Sequence, residues 1–66
     1  MQILKENIRD CILKVARQQF EQKGYSKTSM REIAESAGVG VGNIYNYFTN
    51  KDDLFREVVR CLLYTS

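Results

Sequence analysis

Between Glu6 and Lys23 the apolar residues Ile8, Cys11, Ile12, Val15, Ala16 and Phe20 return at three- and four-residue spacing. They share one side of an amphipathic helix, which the pattern predicts over about residues 5–23. Gly24 follows as its C′ residue, in the left-handed conformation that glycine reaches without a Cβ penalty. A second helix is predicted over about 29–37. Its start is marked by Ser29-Met30-Arg31-Glu32, an S-x-x-E capping box in which hydroxyl and carboxylate each take an orphan backbone N–H. Met30, Ile33, Ala34 and Ala37 form its apolar stripe, and Gly38 stops it. Past Gly38-Val39-Gly40 the pattern predicts a third short helix over about 41–47 and a fourth over about 51–64. Thr49 or Asn50 caps the fourth, and Asp52 and Asp53 stand where the helix dipole favours negative charge. Leu54, Phe55, Val58, Val59, Leu62 and Leu63 give it a wide apolar face. The expected class is all-α. Cys11 and Cys61 fall on apolar faces and read as small buried hydrophobes.

Two short helices joined by a tight glycine-containing turn form a helix-turn-helix, whose second helix is shaped to enter the DNA major groove. On a wheel at ~100° per residue, Ile44 and Phe48 lie about 40° apart and point inward together. Gly42 and Asn46 then fall on the opposite side, flanked by Asn43 and Tyr45. This outward face is made of hydrogen-bonding groups where a solubilising face would carry Lys and Glu. An Asn amide pairs with the N6/N7 edge of adenine, and Val41 suits a thymine methyl. Gly40 and Gly42 remove side chains where backbone comes close to a neighbour or a phosphate. Thr28, Ser29 and Lys51 flank helix starts, whose free N–H groups attract phosphate. Each residue also has a plainer reading. Tyr45 and Tyr47 at helical spacing fit a core with hydroxyls at its rim, Asn43 and Asn46 fit a solvated face, and Lys51 fits a surface charge.

Composition narrows the options. Sixty-six residues allow one small domain, and 44% apolar with 27% charged residues reads as globular. With no His there is no imidazole for acid–base chemistry or metal ligation, and two distant cysteines make neither a zinc site nor a disulfide scaffold. Nothing resembles a phosphate loop or a nucleophile motif. Gly38-Val39-Gly40 with Val41-Gly42 resembles a dinucleotide loop only superficially, because no strand precedes it. No catalytic residue, metal or cofactor is therefore expected, and no enzyme. The charge turns on at Lys5, directly after Ile3-Leu4, which argues against a signal peptide. The apolar run near the end is short and holds Arg60, so no membrane span is expected and the location reads as cytoplasmic. The net charge of +2 is mild. A monomer this weakly basic binds DNA poorly at physiological salt, so tight binding calls for two copies on two half-sites.

Residues 24–55 carry Gly24-Tyr25, Thr28-Ser29, Ile33-Ala34, Ala37-Gly38-Val39, Gly42-Asn43-Ile44-Tyr45-Asn46-Tyr47-Phe48, Lys51 and Leu54-Phe55. The run I-A-x-x-A-G-V-x-x-G-x-I-Y-x-Y-F-x-x-K resembles the DNA-binding domain of TetR-type transcriptional repressors, and the likeness covers nearly the whole chain. It implies a three-helix, homeodomain-like domain with a helix-turn-helix, plus the start of a fourth, connecting helix. The implied DNA contacts are Thr28, Ser29 and Met30 at the second helix; Val39, Gly40, Val41, Gly42, Asn43, Tyr45, Asn46 and Tyr47 around a recognition helix at about 40–47; and Lys51. The implied partner is double-stranded DNA with a palindromic operator. A homodimer and a small-molecule effector are implied only through a C-terminal ligand-binding domain outside these residues. In such proteins the ligand shifts helix four and changes the spacing of the two recognition helices, releasing the operator.

This sequence departs from the TetR pattern where a cation often stands. Position 41 is Val and position 40 is Gly rather than Ser, so the recognition helix has no Arg or Lys to pair with guanine. The expected reading is therefore weighted toward A·T steps through Asn43, Asn46 and Val41. The alternative function is a helical protein-interaction module using Val58, Val59, Leu62 and Leu63, because an exposed apolar patch marks an interface. Leu62 and Leu63 come without a stop signal behind them, which suggests a partner or a longer chain.

Overall fold

The computed structural model describes residues 7–64. They form α1 (Ile8–Lys23), α2 (Met30–Ala37), α3 (Val41–Tyr47) and α4 (Lys51–Tyr64), with no strand among the described residues. The fold is all-α, as the periodicity predicts.

The helix ends show which local signals won. The expected start of the first helix near residue 5 falls outside the described residues, within which α1 begins at Ile8. Asn7 has an extended backbone and caps α1, its side-chain oxygen accepting the Arg9 N–H at 3.0 Å; residues 5 and 6 lie outside the described ones. Gly24 does end α1, its N–H reaching the Phe20 carbonyl at 2.9 Å. Its φ of 91° and ψ of 160° belong to the extended glycine-only region rather than the expected left-handed helical one. The chain thus leaves α1 extended instead of curling back. Ser29 caps α2 as expected, its hydroxyl accepting the Glu32 N–H at 3.1 Å. The reciprocal half of the capping box is weaker than expected. Glu32 turns its carboxylate chiefly to Lys23 Nζ, 2.6 Å away on α1, and the Ser29 N–H is a lesser influence on it. Asn50 caps α4 by accepting the Asp53 N–H at 2.8 Å, while the Asp53 carboxylate returns to the Thr49 N–H at 3.1 Å.

One core joins all four helices. Ile12, Leu13 and Ala16 come from α1, Met30, Ile33 and Ala34 from α2, Ile44 and Phe48 from α3 and its end, and Leu54 and Val58 from α4. Burying a Val, Leu, Ile, Met or Phe side chain contributes about 1.5–3 kcal/mol, and Ala16 and Ala34, with little to bury, let the helices approach closely. Beside the core, Phe20, Tyr25 and Phe55 close into an aromatic trio with ring centroids 5.1 to 5.6 Å apart. Arg9 ties α1 to α4 through Glu57 at 2.8 Å and lies over the Phe48 ring at 5.6 Å.

The cysteines are not both buried. Cys11 is half-buried, its thiol turned toward the Ala37 carbonyl at 3.8 Å, and Cys61 is exposed. The reason is geometric. The apolar face of α4 is wider than the strip that α1 covers, so Leu54 and Val58 reach the core while Cys61, Leu62 and Leu63 do not.

Candidate nucleic-acid interface

The turn between α2 and α3 is set by backbone geometry. Gly38 sits in the left-handed helical conformation at φ 77° and ψ 24°. Its N–H reaches the Glu35 carbonyl at 3.2 Å, and the Val39 N–H reaches the Ala34 carbonyl at 2.9 Å. This pair of bonds is the Schellman motif, and Val39, packed against the core, adds its apolar contact. A residue with a Cβ would be strained at that φ. The chain then runs extended through Gly40 and enters α3 with no side-chain cap.

α3 is divided cleanly. Ile44 is fully buried and Phe48 nearly so. Val41, Gly42, Asn43, Tyr45, Asn46 and Tyr47 are all exposed, Tyr45 to 49% and Tyr47 to 38%, which disposes of the core reading of the two tyrosines. Asn46 Nδ2 donates to Asn43 Oδ1 at 3.2 Å, so the two amides form a linked pair on the surface. Around Gly42 the protein leaves open space: a Cβ built there meets nothing within 4 Å. The absence of a side chain at 42 is thus not required by any neighbour among the described residues.

Three residues expected at the interface are turned inward. Thr28 is 1% exposed, its hydroxyl donating to the Gly24 carbonyl at 2.8 Å and lying 3.3 Å from that of Gln19. Its side chain organises the α1–α2 turn and does not face solvent. The Met30 side chain is in the core. Lys51 Nζ donates to the carbonyls of Tyr25 at 2.8 Å and Thr28 at 2.9 Å, and sits 4.3 Å from the centre of the Tyr25 ring. Ser29 is exposed at the mouth of α2, though its hydroxyl already serves Glu32, and Val39 is half-buried. Helical periodicity placed the α3 residues correctly because their helix has one clear inner face. It had no means of placing Thr28 or Lys51, whose partners are carbonyls of a turn.

Two cations near the start of α2 were not singled out by the sequence. Lys27 is exposed beside the cap, and Arg31 is exposed in the first turn, with Glu35 no nearer than 3.9 Å. α3 itself carries no charge. On the α1 side, the Lys23 hydrogen bond and its positive charge hold the Glu32 carboxyl below its ordinary 4.5. Of the alternative interaction face, Val58 is spent in the core and Val59 is half-buried, leaving Leu62 and Leu63 exposed.

This helix-turn-helix is matched by known sequences. A family model described as bacterial regulatory proteins, tetR family, matches residues 12–58. The chain belongs to the tetR family. It is 46% identical over 52 residues to YhgD, an HTH-type transcriptional regulator of Bacillus subtilis, covering 79% of this chain and 27% of that protein. Over 53 residues it is 49% identical to the transcriptional regulator AcrR of Shigella flexneri, with coverage of 80% and 25%. Identity to the transcriptional repressor KstR2 of Mycolicibacterium smegmatis is 38% over 55 residues, with coverage of 83% and 27%. The chain thus spans about a quarter of the length of these relatives. Within the tetR family frame, α2 and α3 are the helix-turn-helix, and α3 is its second helix.

Proposed function

We propose that the chain is the operator-reading part of a ligand-responsive transcriptional regulator, a repressor, acting in the cytoplasm by binding rather than by catalysis. α3 enters the major groove of duplex DNA, and Val41, Gly42, Asn43, Tyr45, Asn46 and Tyr47 meet base edges and backbone. The first N–H groups of α2, near Ser29 and Met30, receive a phosphate, with the exposed Lys27 and Arg31 beside them. The observation that carries this reading is the outward face of α3. It exposes two tyrosines, two linked asparagines and an unfilled glycine position, with no charge to keep it soluble. Such a face costs helix stability and has its use outside the chain.

Because α3 holds amides and a valine but no Arg or Lys, base reading is weighted toward A·T pairs. One copy with so small a positive charge binds weakly. The functional species is a homodimer on a palindromic operator, held together by a ligand-binding domain beyond these residues, with half-sites one helical turn or a multiple apart. The names of the relatives support the regulatory role. The test is salt-dependent binding to duplex DNA by the chain, with sequence selection of its half-site. Replacing Tyr45 and Asn46 by Ala abolishes selective binding and leaves the helical circular-dichroism signal intact. A selected half-site whose essential positions are all G·C would overturn the A·T assignment.

A further inference from the structure

We propose that Glu57 is an exchangeable latch between α1 and α4. Paired with Arg9 it braces the end of α3; when α4 is displaced it passes to Arg60 and the brace is released. The consequence for DNA rests on the operator-reading function proposed above; the latch itself does not.

Arg9 touches three elements at once. It belongs to α1, its Nη2 donates to Glu57 Oε1 on α4 at 2.8 Å, and its guanidinium carbon stands 5.6 Å from the centre of the Phe48 ring, within cation–π range. Phe48 is the buried residue that closes α3, and Thr49 and Asn50 alone separate it from the start of α4. That short link fixes where α4 begins but leaves its direction open. Glu57 lies six residues further on, about 9 Å along the helix, so the bridge from Arg9 supplies a second fixed point. Leu54 and Val58 hold α4 to the core through apolar contact, which has little directional preference. The charge-assisted bond to Arg9 is directional, and it sets the angle between α4 and the end of α3.

The other half of the latch is on α4 itself. Arg60 Nη1 stands 3.9 Å from Glu57 Oε2, one turn along the same helix. Each carboxylate oxygen of Glu57 thus faces its own cation. Arg60 travels with α4, so a displacement that breaks the Arg9 bond leaves the Glu57 charge compensated. Both pairs are open enough to water to be individually weak, which lets one be traded for the other at little cost. A hollow lined by Arg9, Glu57, Arg60, Cys61 and Tyr64 gives the side chains room to make the exchange. Leu62 and Leu63, exposed beyond the buried Val58, are the lever by which α4 is displaced.

The experiment records amide NMR spectra of the chain and of its Arg9→Gln, Glu57→Gln and Arg60→Gln variants. The signals read are those of Gly42, Asn43 and Ile44, at least a turn back from Phe48. Arg9→Gln is expected to displace them in one direction. Arg60→Gln displaces them the opposite way along the same line, because removing the competitor leaves Glu57 with Arg9. Arg9→Gln combined with Glu57→Gln moves them no further than either change alone, since both break one tie. A short A·T-rich duplex then reads the effect on binding. Glu57→Gln removes a negative charge, which by itself strengthens affinity for DNA; the latch instead makes the variant bind several-fold more weakly. Signals in α3 that stay in place, or that move the same way in Arg9→Gln and Arg60→Gln, overturn the latch. Tighter binding by Glu57→Gln overturns its effect on DNA. Should Arg9→Gln fail to fold, opposite displacements in Glu57→Gln and Arg60→Gln decide in its favour and parallel ones against it. If the unaltered chain binds no duplex at any salt, the operator reading falls, and the latch is judged on the α3 signals alone.

Discussion

α2 and α3 are neighbours of nearly equal length, eight and seven residues, yet they are held in different ways. α2 has a serine cap at one end, a Schellman glycine at the other, and Met30, Ile33 and Ala34 buried along its stripe. α3 starts from an uncapped Gly40, has no charge to complement its dipole, and buries Ile44 alone, with Phe48 just past its end. Local devices stabilise α2 before it touches anything. α3 depends on tertiary anchors, since a single short helix without caps is not stable by itself. The contrast follows from what each surface is free to do: every residue of α3 except its anchor is left unconstrained by the rest of the chain.

The sharpest way to break this contrast is to remove the anchor. Ile44→Ala is expected to cost about 2–5 kcal/mol, much of the stability of so small a domain, as read from chemical denaturation. Truncating the opposite face should do the reverse. Tyr45→Ala with Asn46→Ala shifts stability by less than about 0.5 kcal/mol, while duplex affinity falls by about 1–3 kcal/mol for each base pairing that the two side chains no longer make. If the inner and outer changes hurt folding equally, α3 has no free face. Glycine gives a paired comparison of opposite sign. Gly38→Ala strains a residue at φ 77° and should destabilise by about 1–2 kcal/mol. Gly42→Ala meets open space in the first turn of α3 and should stabilise by up to about 0.5 kcal/mol. Weaker duplex binding by that more stable variant would show that the gap at 42 serves the DNA. The smallest effect concerns pH and the tie between α1 and α2. Lys23 holds Glu32 below 4.5, so the folded state binds fewer protons there than the unfolded one. The contribution of this pair is complete above 4.5 and is lost as pH falls through the lowered folded value. Melting curves of Glu32→Gln should lack that component of the acid dependence.

What was legible in the sequence was whatever rests on period and punctuation. The spacing of Ile12, Ala16, Ile33, Ile44 and Leu54 marked out the helices and their inner faces, and Ser29, Gly38 and Asn50 marked ends that a local backbone preference decides. The wheel through Ile44 and Phe48 alone was enough to expose the asparagines and tyrosines of α3. What stayed hidden depends on distance across the fold. Thr28 looks like a surface hydroxyl until the α1–α2 turn closes over it. Lys51 looks like a free cation until its stem finds two carbonyls 26 and 23 positions back along the chain. Cys61 misled for a related reason: helical spacing says which side of α4 a residue is on, but not how wide a strip of that side the partner helix covers.

The Asn43–Asn46 bond carries a consequence for how a binding preference could change over generations. Substituting one asparagine leaves the other amide without its partner, so the two positions are not independent letters. Single changes at either site should lose operator affinity without gaining a new preference, and a switch should need both together. The remaining exposed positions of α3 have no such tie, so mutation can explore them one at a time at little cost to folding.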